Sequence, residues 1–453
     1  MKTVDVGAAL DDGQWGGYQK LLVAATALTI IFDGLDNQVL GGAIPVMMRD
    51  WHVARGALTP ALTTGFIGMV TGSFVGGYIG DKFGRRIALL GSLLAFGLLT
   101  LLVATSANPT MLAVYRFFTG LGMGGAMPNA ASLASEYVPT RQRPFAVTLT
   151  IVCIPLGGSL AGLIGGAILP NFGWRILFVV CGVIPLALAA VLLKVLPESP
   201  RFLARRRERW PQLVALLRRL GHDVPSDAEF VDAREKAVTR TSVGELFTAS
   251  YARDTLALCG SFFFCLLSVY MGTNWVPQML TSSHFSVGTA SYGLTAFNVG
   301  GVVGAIVGAL VIMRFGSRLS MLTMAGLAIA GAMVLSIMQI GPQDAVPVFA
   351  MLAWTGGLIN AVQTTMYALA AHVYPTSIRS TGVGTAVGVG RIGSVFSPAL
   401  GQWALDAGGA SSYFMLIAGT MSIAFVSLAV VKRHIPGSSS SSGARVGAMA
   451  AAH

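Results

Sequence analysis

The amino-acid sequence predicts an all-α polytopic membrane protein of twelve transmembrane helices, arranged as two pseudo-symmetric halves of six. Three observations predict this fold class. First, 54% of the 453 residues are hydrophobic and only 11% are charged, whereas a soluble domain carries about 25% charged residues. Second, twelve apolar runs are long enough to cross a bilayer, which takes about 20 residues each. Third, a loop sequence of the first half recurs in the second half.

The predicted spans fall into two groups of six on either side of a polar stretch. They cover 19–47, 57–80, 86–106, 109–134, 144–169, 173–196, 253–280, 287–313, 318–340, 345–372, 381–404 and 411–432. The chain therefore divides into an N-terminal tail (1–18), an N-terminal half (19–196), a central loop (197–252), a C-terminal half (253–432) and a tail (433–453). We expect this last tail to be disordered because it is rich in Ser, Gly and Ala.

The distribution of basic residues predicts the orientation in the membrane. If both termini lie on one side, that side holds 25 of the 30 Lys and Arg residues. Arg49, Arg55 and Arg175 lie in or next to the opposite loops, and Arg116 and Arg391 lie well inside spans. Because positive charge accumulates in cytoplasmic loops, both termini and the central loop are predicted to be cytoplasmic. The net charge of +11 thus indicates topology and not nucleic-acid binding.

Nothing in the sequence indicates an enzyme. The four cysteines, Cys153, Cys181, Cys259 and Cys265, lie in apolar runs without the spacing of metal ligands. There is no nucleophile–base pair, and the Gly-rich "GLGMGG" lies inside a predicted span, where it cannot cradle a nucleotide. We therefore expect no metal and no cofactor.

The repeated loop indicates a transporter. "GYIGDKFGRR" (77–86) follows the second span, and "ALVIMRFGSR" (309–318) follows the eighth, at the same place in the second half. Internal repeats of this kind are typical of secondary transporters, whose substrate site lies near the membrane midplane between the halves.

On these residues the chain resembles the major facilitator superfamily, whose best-known loop signature matches residues 77–86. Four stretches resemble its aromatic acid:proton symporters: "DGLD" (33–36), "RFFTGLGMGGAMPNAASLASEY" (116–137), "LPESPRFL" (196–203) and "YPTSIRSTGVGTAVGVGRIGS" (374–394). "DGLD" discriminates best, because sugar porters do not usually carry it. The resemblance implies uptake of a small aromatic carboxylate of the hydroxybenzoate or benzoate type with a proton, by a monomer in the inner membrane of a bacterium.

Two buried aspartates are the predicted proton-coupling groups. Asp33 and Asp36 are separated by roughly 300° of rotation and ~4.5 Å of rise, so they share one helix face. Two carboxylates this close in a low dielectric do not easily both ionise, which suits a group that binds and releases protons. We favour Asp36 as the carrier, and Asp33 is the alternative. Arg116, at the intramembrane arginine position of the resemblance, is expected to couple the acids to the substrate.

Arg391 is predicted to bind the substrate carboxylate, because a guanidinium can donate two parallel hydrogen bonds to a carboxylate. An ion pair with an acid such as Asp33 is the other open role, and Arg116 is able to exchange roles with Arg391. Polar and aromatic groups that could contact the ring are Asn274, Trp275, Asn298, Asn360, Gln363 and Tyr367.

Five charged residues at the cytoplasmic ends of spans are predicted to form a gate that makes and breaks during transport: Asp81, Arg85, Arg86, Glu136 and Arg141. Two alternatives to the function stay open. One is a proton-coupled porter of a sugar, an organic cation or a dicarboxylate, and the other is a transporter-like sensor.

Overall fold

The structure, a computed structural model, describes residues 3–11, 15–222, 224–225, 228–231, 243–375 and 378–437. The helices are α1 (Val6–Asp11), α2 (Gly17–Asp50), α3 (Thr59–Phe83), α4 (Arg85–Val103), α5 (Pro109–Tyr137), α6 (Arg143–Val195), α7 (Pro200–Ala204), α8 (Trp210–Arg219), α9 (Ala252–Ser282), α10 (Val287–Phe315), α11 (Ser317–Ile337), α12 (Ala345–Val373) and α13 (Arg379–Val430). Two short strands, β1 (Thr3–Asp5) and β2 (Glu229–Val231), pair in parallel.

Each of the twelve predicted spans falls on a helical segment, and the predicted fold class is confirmed. Within the described residues, nine helices are long and apolar enough to cross a membrane. Two of these, α6 with 53 residues and α13 with 52, each contain two predicted spans. The chain turns inside α6 at Gly173 (φ 75°) and inside α13 at Gly409 (φ 61°), in the left-handed region that favours glycine. The remaining span lies on α5, which has 29 residues but is less apolar.

The chain forms two compact units, and both α2 and α6 contribute to each of them. Unit 1 consists of Met1–Asn37, Thr64–Gly157 and Trp174–Thr239. Unit 2 consists of Gln38–Thr63, Gly158–Gly173 and Arg240–His453. The boundary in α2 follows Asn37 directly, one residue after the predicted proton-coupling pair.

Glycines allow close helix contacts in unit 1, most clearly between α3 and α5. A Cβ atom added at Gly68, Gly72 or Gly76 of α3 would lie within 3.0 Å of backbone atoms of α5. The same is true in reverse for Gly120 and Gly124 of α5. Small residues at regular spacing let the backbones of membrane helices approach each other, which places the functional side chains of these helices within reach of α2.

Part of the N-terminal tail and the first part of the central loop fold together in unit 1. We call residues 3–11, 200–222, 224–225 and 228–231 the loop subdomain. Strand β1 pairs with β2, with Thr3 opposite Glu229. Helix α1 buries Val6 and Leu10 in a core formed with α7, α8 and β2; its members include Leu203, Leu213, Leu217 and Phe230. Helix α8 is amphipathic, and its buried face supplies much of this core.

The loop subdomain predicts a sharp difference between two substitutions in α1. Leu10→Asp places a carboxylate at a position with no solvent exposure, so we expect residues 3–11 to detach at a cost of about 3–5 kcal/mol. Ala8→Asp, on the exposed side of the same short helix, is expected to change little. Hydrogen exchange of β1, α1 and α8 measures the effect: Leu10→Asp accelerates exchange at least about 100-fold. Equal exchange in both variants would contradict a packed subdomain.

The C-terminal end of unit 2 also returns to the membrane helices. The backbone N–H of Ser317 donates to the carbonyl of Ile435 at 2.9 Å, and the N–H of Ile435 donates to the Ser317 hydroxyl at 2.8 Å. Asp254 accepts from the N–H of Lys432 at 2.7 Å. Of the tail predicted to be disordered, 433–437 therefore pack on the second copy of the repeated loop, and 438–453 lie outside the described residues.

Candidate functional site

The centre of the candidate site in unit 1 is a buried ion pair between α2 and α5. Asp36 has no solvent exposure, and its Oδ2 lies 3.0 Å from Nη1 of Arg116. Nη2 of Arg116 also donates to the backbone carbonyl of Asp36 at 3.4 Å. The second carboxylate oxygen, Oδ1, accepts a hydrogen bond from the Thr100 hydroxyl at 2.6 Å. Both oxygens of Asp36 are thus used, one by a cation and one by a neutral donor.

Close packing holds the Asp36 segment of α2 against α6. A Cβ atom at Gly34 would lie within 3.0 Å of the Ile154 carbonyl oxygen on α6, and Gly157 of α6 faces the Ile31 carbonyl in the same way. The glycines therefore hold α2 close to α6. Asp33, one turn before Asp36, is also buried, with 8% of its surface exposed. The structure brings Asp36 and Arg116 together as a pair, with Thr100 as a third member that the sequence analysis missed.

In unit 2, Arg391 of α13 lies within electrostatic reach of the Tyr367 hydroxyl of α12. The ring of Tyr367 packs edge to face against that of Phe262 of α9, with centroids 5.2 Å apart. A Cβ atom at Gly390 would lie 3.0 Å from the Phe262 Cβ, so this glycine brings α13 close to α9. A guanidinium next to flat apolar rings is a suitable environment for an aromatic carboxylate.

The predicted amide groups differ in how they are bonded. Asn298 donates to Oε1 of Gln38 at 2.7 Å and to the Leu294 carbonyl at 3.0 Å. Asn360 donates to the Gly356 carbonyl at 2.8 Å. Asn274 is fully buried, and neither of its amide atoms has a hydrogen-bond partner among the described residues.

The two other residues of the predicted ring-contact set lie on different helices. Trp275 has no exposure, and its indole N–H donates to the Pro398 carbonyl at 3.1 Å, which is a packing contact between α9 and α13. Gln363 lies between Asn360 and Tyr367 along α12 and is partly exposed. Spacings of three and four residues place Asn360, Gln363 and Tyr367 on one helix face.

Glu198 organises the predicted gate in unit 1. Its Oε1 accepts from the backbone N–H of Arg86 and from that of Ser199, both at 2.9 Å. A carboxylate at the N-terminus of α4 also complements the helix dipole. Gly84 (φ 118°) packs directly on this carboxylate, and any side chain there would collide with it. The sequence analysis quoted "LPESPRFL" but did not assign Glu198 a role.

The remaining gate residues have separate partners. Asp81, near the end of α3, forms an ion pair of 2.5 Å with Arg85, the first residue of α4. Glu136 accepts a short hydrogen bond from the Ser199 hydroxyl and lies near the charges of Arg85 and Arg201.

Arg141 is exposed in the short 3₁₀ turn Thr140–Gln142. Arg143, two residues further along, forms an ion pair with Asp11 of the loop subdomain. The N-terminal tail is thereby attached to the start of α6.

A second polar cluster in unit 2 was also missed. Arg55 forms an ion pair of 2.7 Å with Asp406 and donates to the Ser282 hydroxyl at 3.1 Å. Gln402 accepts from Thr59 at 2.5 Å and donates to Asp406 at 3.2 Å. The cluster joins the start of α3 to the ends of α9 and of the first segment of α13, on the side predicted to be non-cytoplasmic.

The comparisons with known proteins agree with one another. A sequence model described as the Major Facilitator Superfamily matches residues 26–251 and 256–450. A gallate transporter of Pseudomonas putida is 33% identical over 89% of this chain and 90% of its own length. A 4-hydroxybenzoate transporter, PcaK, of Acinetobacter baylyi is 34% identical over 88% of each chain. A bacterial homologue of the human lysosomal transporter Spinster, solved in an inward-facing conformation, is similar in fold with a TM-score of 0.66 at 16% identity, over 92% of this chain and 97% of that one. The chain therefore belongs to the major facilitator superfamily of membrane transporters.

Proposed function

We propose that this protein takes up a small aromatic carboxylate of the hydroxybenzoate or benzoate type together with a proton, by alternating access. It acts as a monomer in the inner membrane of a bacterium. The observation that carries the proposal is the buried ion pair between Asp36 and Arg116. A second buried acid, Asp33, lies three residues before Asp36. The names of the gallate and 4-hydroxybenzoate transporters support the substrate class.

The acids of α2 carry the proton. Ionised Asp36 is balanced by Arg116 and Thr100, so a proton that neutralises the carboxylate weakens its attraction to the guanidinium. Because Asp33 shares the helix face and is also buried, the two carboxyls act as a coupled pair that holds one proton between them. Breaking and remaking the Asp36–Arg116 pair links this protonation to helix movement, since two arrangements of one contact make a switch.

Arg391 binds the carboxylate of the substrate, and the rings of Tyr367 and Phe262 contact its aromatic ring. The gate around Glu198, Arg86 and Glu136 opens and closes the cytoplasmic side. If one proton moves with one monoanion, no net charge crosses the membrane. The pH gradient then drives accumulation, and not the roughly 2.3 kcal/mol per charge per 100 mV of membrane potential.

Uptake into proteoliposomes containing the purified full-length protein tests this proposal. An inward proton gradient is expected to concentrate labelled 4-hydroxybenzoate, a protonophore to abolish accumulation, and an imposed potential at equal pH to leave it nearly unchanged. Arg391→Gln is expected to raise KM at least about 10-fold, because it removes the charge-assisted pair, while Arg391→Lys retains part of the affinity. Sugars, organic cations and dicarboxylates serve as alternative substrates, and concentration of one of these in place of the aromatic acid would refute the proposal. Ligand binding without accumulation would instead indicate a sensor.

A further inference from the structure

Asn274 is a buried amide of unit 2 whose side-chain donor and acceptor are both unused among the described residues. It lies on α9 with no solvent exposure, and among the described residues neither its amide oxygen nor its amide nitrogen has a hydrogen-bond partner. Buried amide groups are nearly always hydrogen-bonded, because burial removes their bonds to water. A fully buried amide with both atoms unbonded therefore indicates a missing partner.

Two other predicted amides of unit 2, Asn298 and Asn360, are hydrogen-bonded. Asn298 donates to Gln38 and to a backbone carbonyl, and Asn360 donates to the Gly356 carbonyl. Trp275, the next residue along α9, has its single donor occupied by Pro398. The fold thus bonds Asn298, Asn360 and Trp275, and it leaves Asn274 with one donor group and one acceptor to offer.

A second unused group lies one turn further along the same helix. Gln278 is 6% exposed, and its amide oxygen is buried without a hydrogen-bond partner among the described residues. Residues four apart face the same side of a helix. On the opposite element, Gly41 of α2 lies so close that its Cβ would be 2.7 Å from the backbone carbonyl of Asn274.

We infer that Asn274 recognises a hydroxyl group on the ring of the transported aromatic acid, which makes it a determinant of specificity; this inference rests on the proposed function. A phenolic hydroxyl is both a donor and an acceptor, as is the amide of Asn274. It therefore pairs with both amide atoms, or with one of them and the oxygen of Gln278. Benzoate has no group that bonds to them. Sites that hydrogen-bond a substrate hydroxyl discriminate strongly against the analogue that lacks it, because the polar groups of the site are then left unpaired.

The ratio of kcat/KM for 4-hydroxybenzoate to that for benzoate tests the inference in proteoliposomes. The wild-type protein is expected to prefer 4-hydroxybenzoate at least about 10-fold. Asn274→Leu, which keeps the size of the side chain but not its hydrogen bonds, is expected to bring the ratio close to one. Its 4-hydroxybenzoate transport should fall more than its benzoate transport, since benzoate does not use the amide. Asn298→Leu is the matched control, because that buried amide is already bonded, and it should lower both activities together and keep the ratio.

The possible outcomes separate this inference from the proposed function. A ratio that is unchanged in Asn274→Leu, whether the two activities are normal or equally reduced, overturns the role of Asn274 while uptake itself stands. A wild-type protein that transports neither acid overturns the proposed function and, with it, this inference. If Asn274→Leu does not fold, Asn274→Ala gives the same comparison without a hydrogen-bonding group or added bulk, and a retained wild-type ratio in that variant is equally decisive against the role of Asn274.

Discussion

Replacing Asp36 with Asn is expected to reduce proton-driven uptake at least about 100-fold and to destabilise the protein by about 3–5 kcal/mol, the range observed when one partner of a buried ion pair is removed. Asparagine cannot take up or release a proton, so the coupling group is lost. It also leaves the guanidinium of Arg116 buried without its carboxylate, since that side chain is only 4% exposed. Uptake under a pH gradient measures the first effect, and the thermal unfolding midpoint in detergent micelles measures the second.

A double variant separates coupling from stability. In Asp36→Leu/Arg116→Met both charges are removed together, and replacing a buried ion pair by apolar groups of similar size is often neutral or stabilising. We therefore expect the unfolding midpoint to return towards that of wild type while uptake stays absent. If the double variant recovers uptake along with stability, the pair has only a structural role, and the proton is carried elsewhere.

The parts of the site that the sequence predicted are those that stand out against an apolar background. Asp36, Arg116 and Arg391 are visible because a charge inside a span is costly and therefore rare. Their partners are not visible in the same way. Thr100, which completes the bonding of Asp36, lies 64 residues away and is one of many hydroxyl residues in spans. Phe262 beside Tyr367 is one of 23 phenylalanines, and only the packing of α9 on α12 distinguishes it.

The same holds for the fold: elements with a regular sequence pattern could be predicted, and contacts between distant segments could not. Hydropathy alone placed the spans, because length and apolar character are what the bilayer requires. It gave no sign that residues 3–5 pair with 229–231, since three-residue strands carry no periodic pattern. The ion pair of Asp11 with Arg143 joins residues 132 positions apart. Such contacts follow from how the chain folds back on itself, which is not a property of any local segment.

The two copies of the repeated loop illustrate how similar sequences acquire different partners. In the first copy, the carboxylate of Glu198 accepts a hydrogen bond from the backbone N–H of Arg86 at the start of α4. In the second copy, Ser317 at the start of α11 bonds to the backbone of Ile435. Each helix start thus has a partner from the segment that follows the sixth or the twelfth span. Only the first copy uses a charge, which is consistent with a gate on that loop.

Replacing Gly76 with Ala is expected to destabilise the protein by about 3 kcal/mol, at the upper end of the range for overpacking. The added methyl group would lie within 3.0 Å of the Gly125 backbone of α5. The added Cβ is fixed to the backbone of α3, and the Gly125 Cα is part of the backbone of α5. Neither atom can rotate away, so the helices must separate. The free energy of unfolding from denaturant titration in mixed micelles measures this effect.

The adjacent Gly77 provides the matched control, although it is the first residue of the loop signature at 77–86. A Cβ atom at Gly77 meets nothing within 4 Å, and alanine is more favourable than glycine in a helix by about 0.5–1 kcal/mol. We therefore expect Gly77→Ala to be neutral or slightly stabilising, opposite in sign to Gly76→Ala. Equal destabilisation by the two substitutions would mean that backbone flexibility, and not the close approach of α3 and α5, is what this glycine-rich segment provides. A neutral Gly76→Ala would mean that these helices tolerate a wider separation, and the placement of Arg116 beside Asp36 would then need another support.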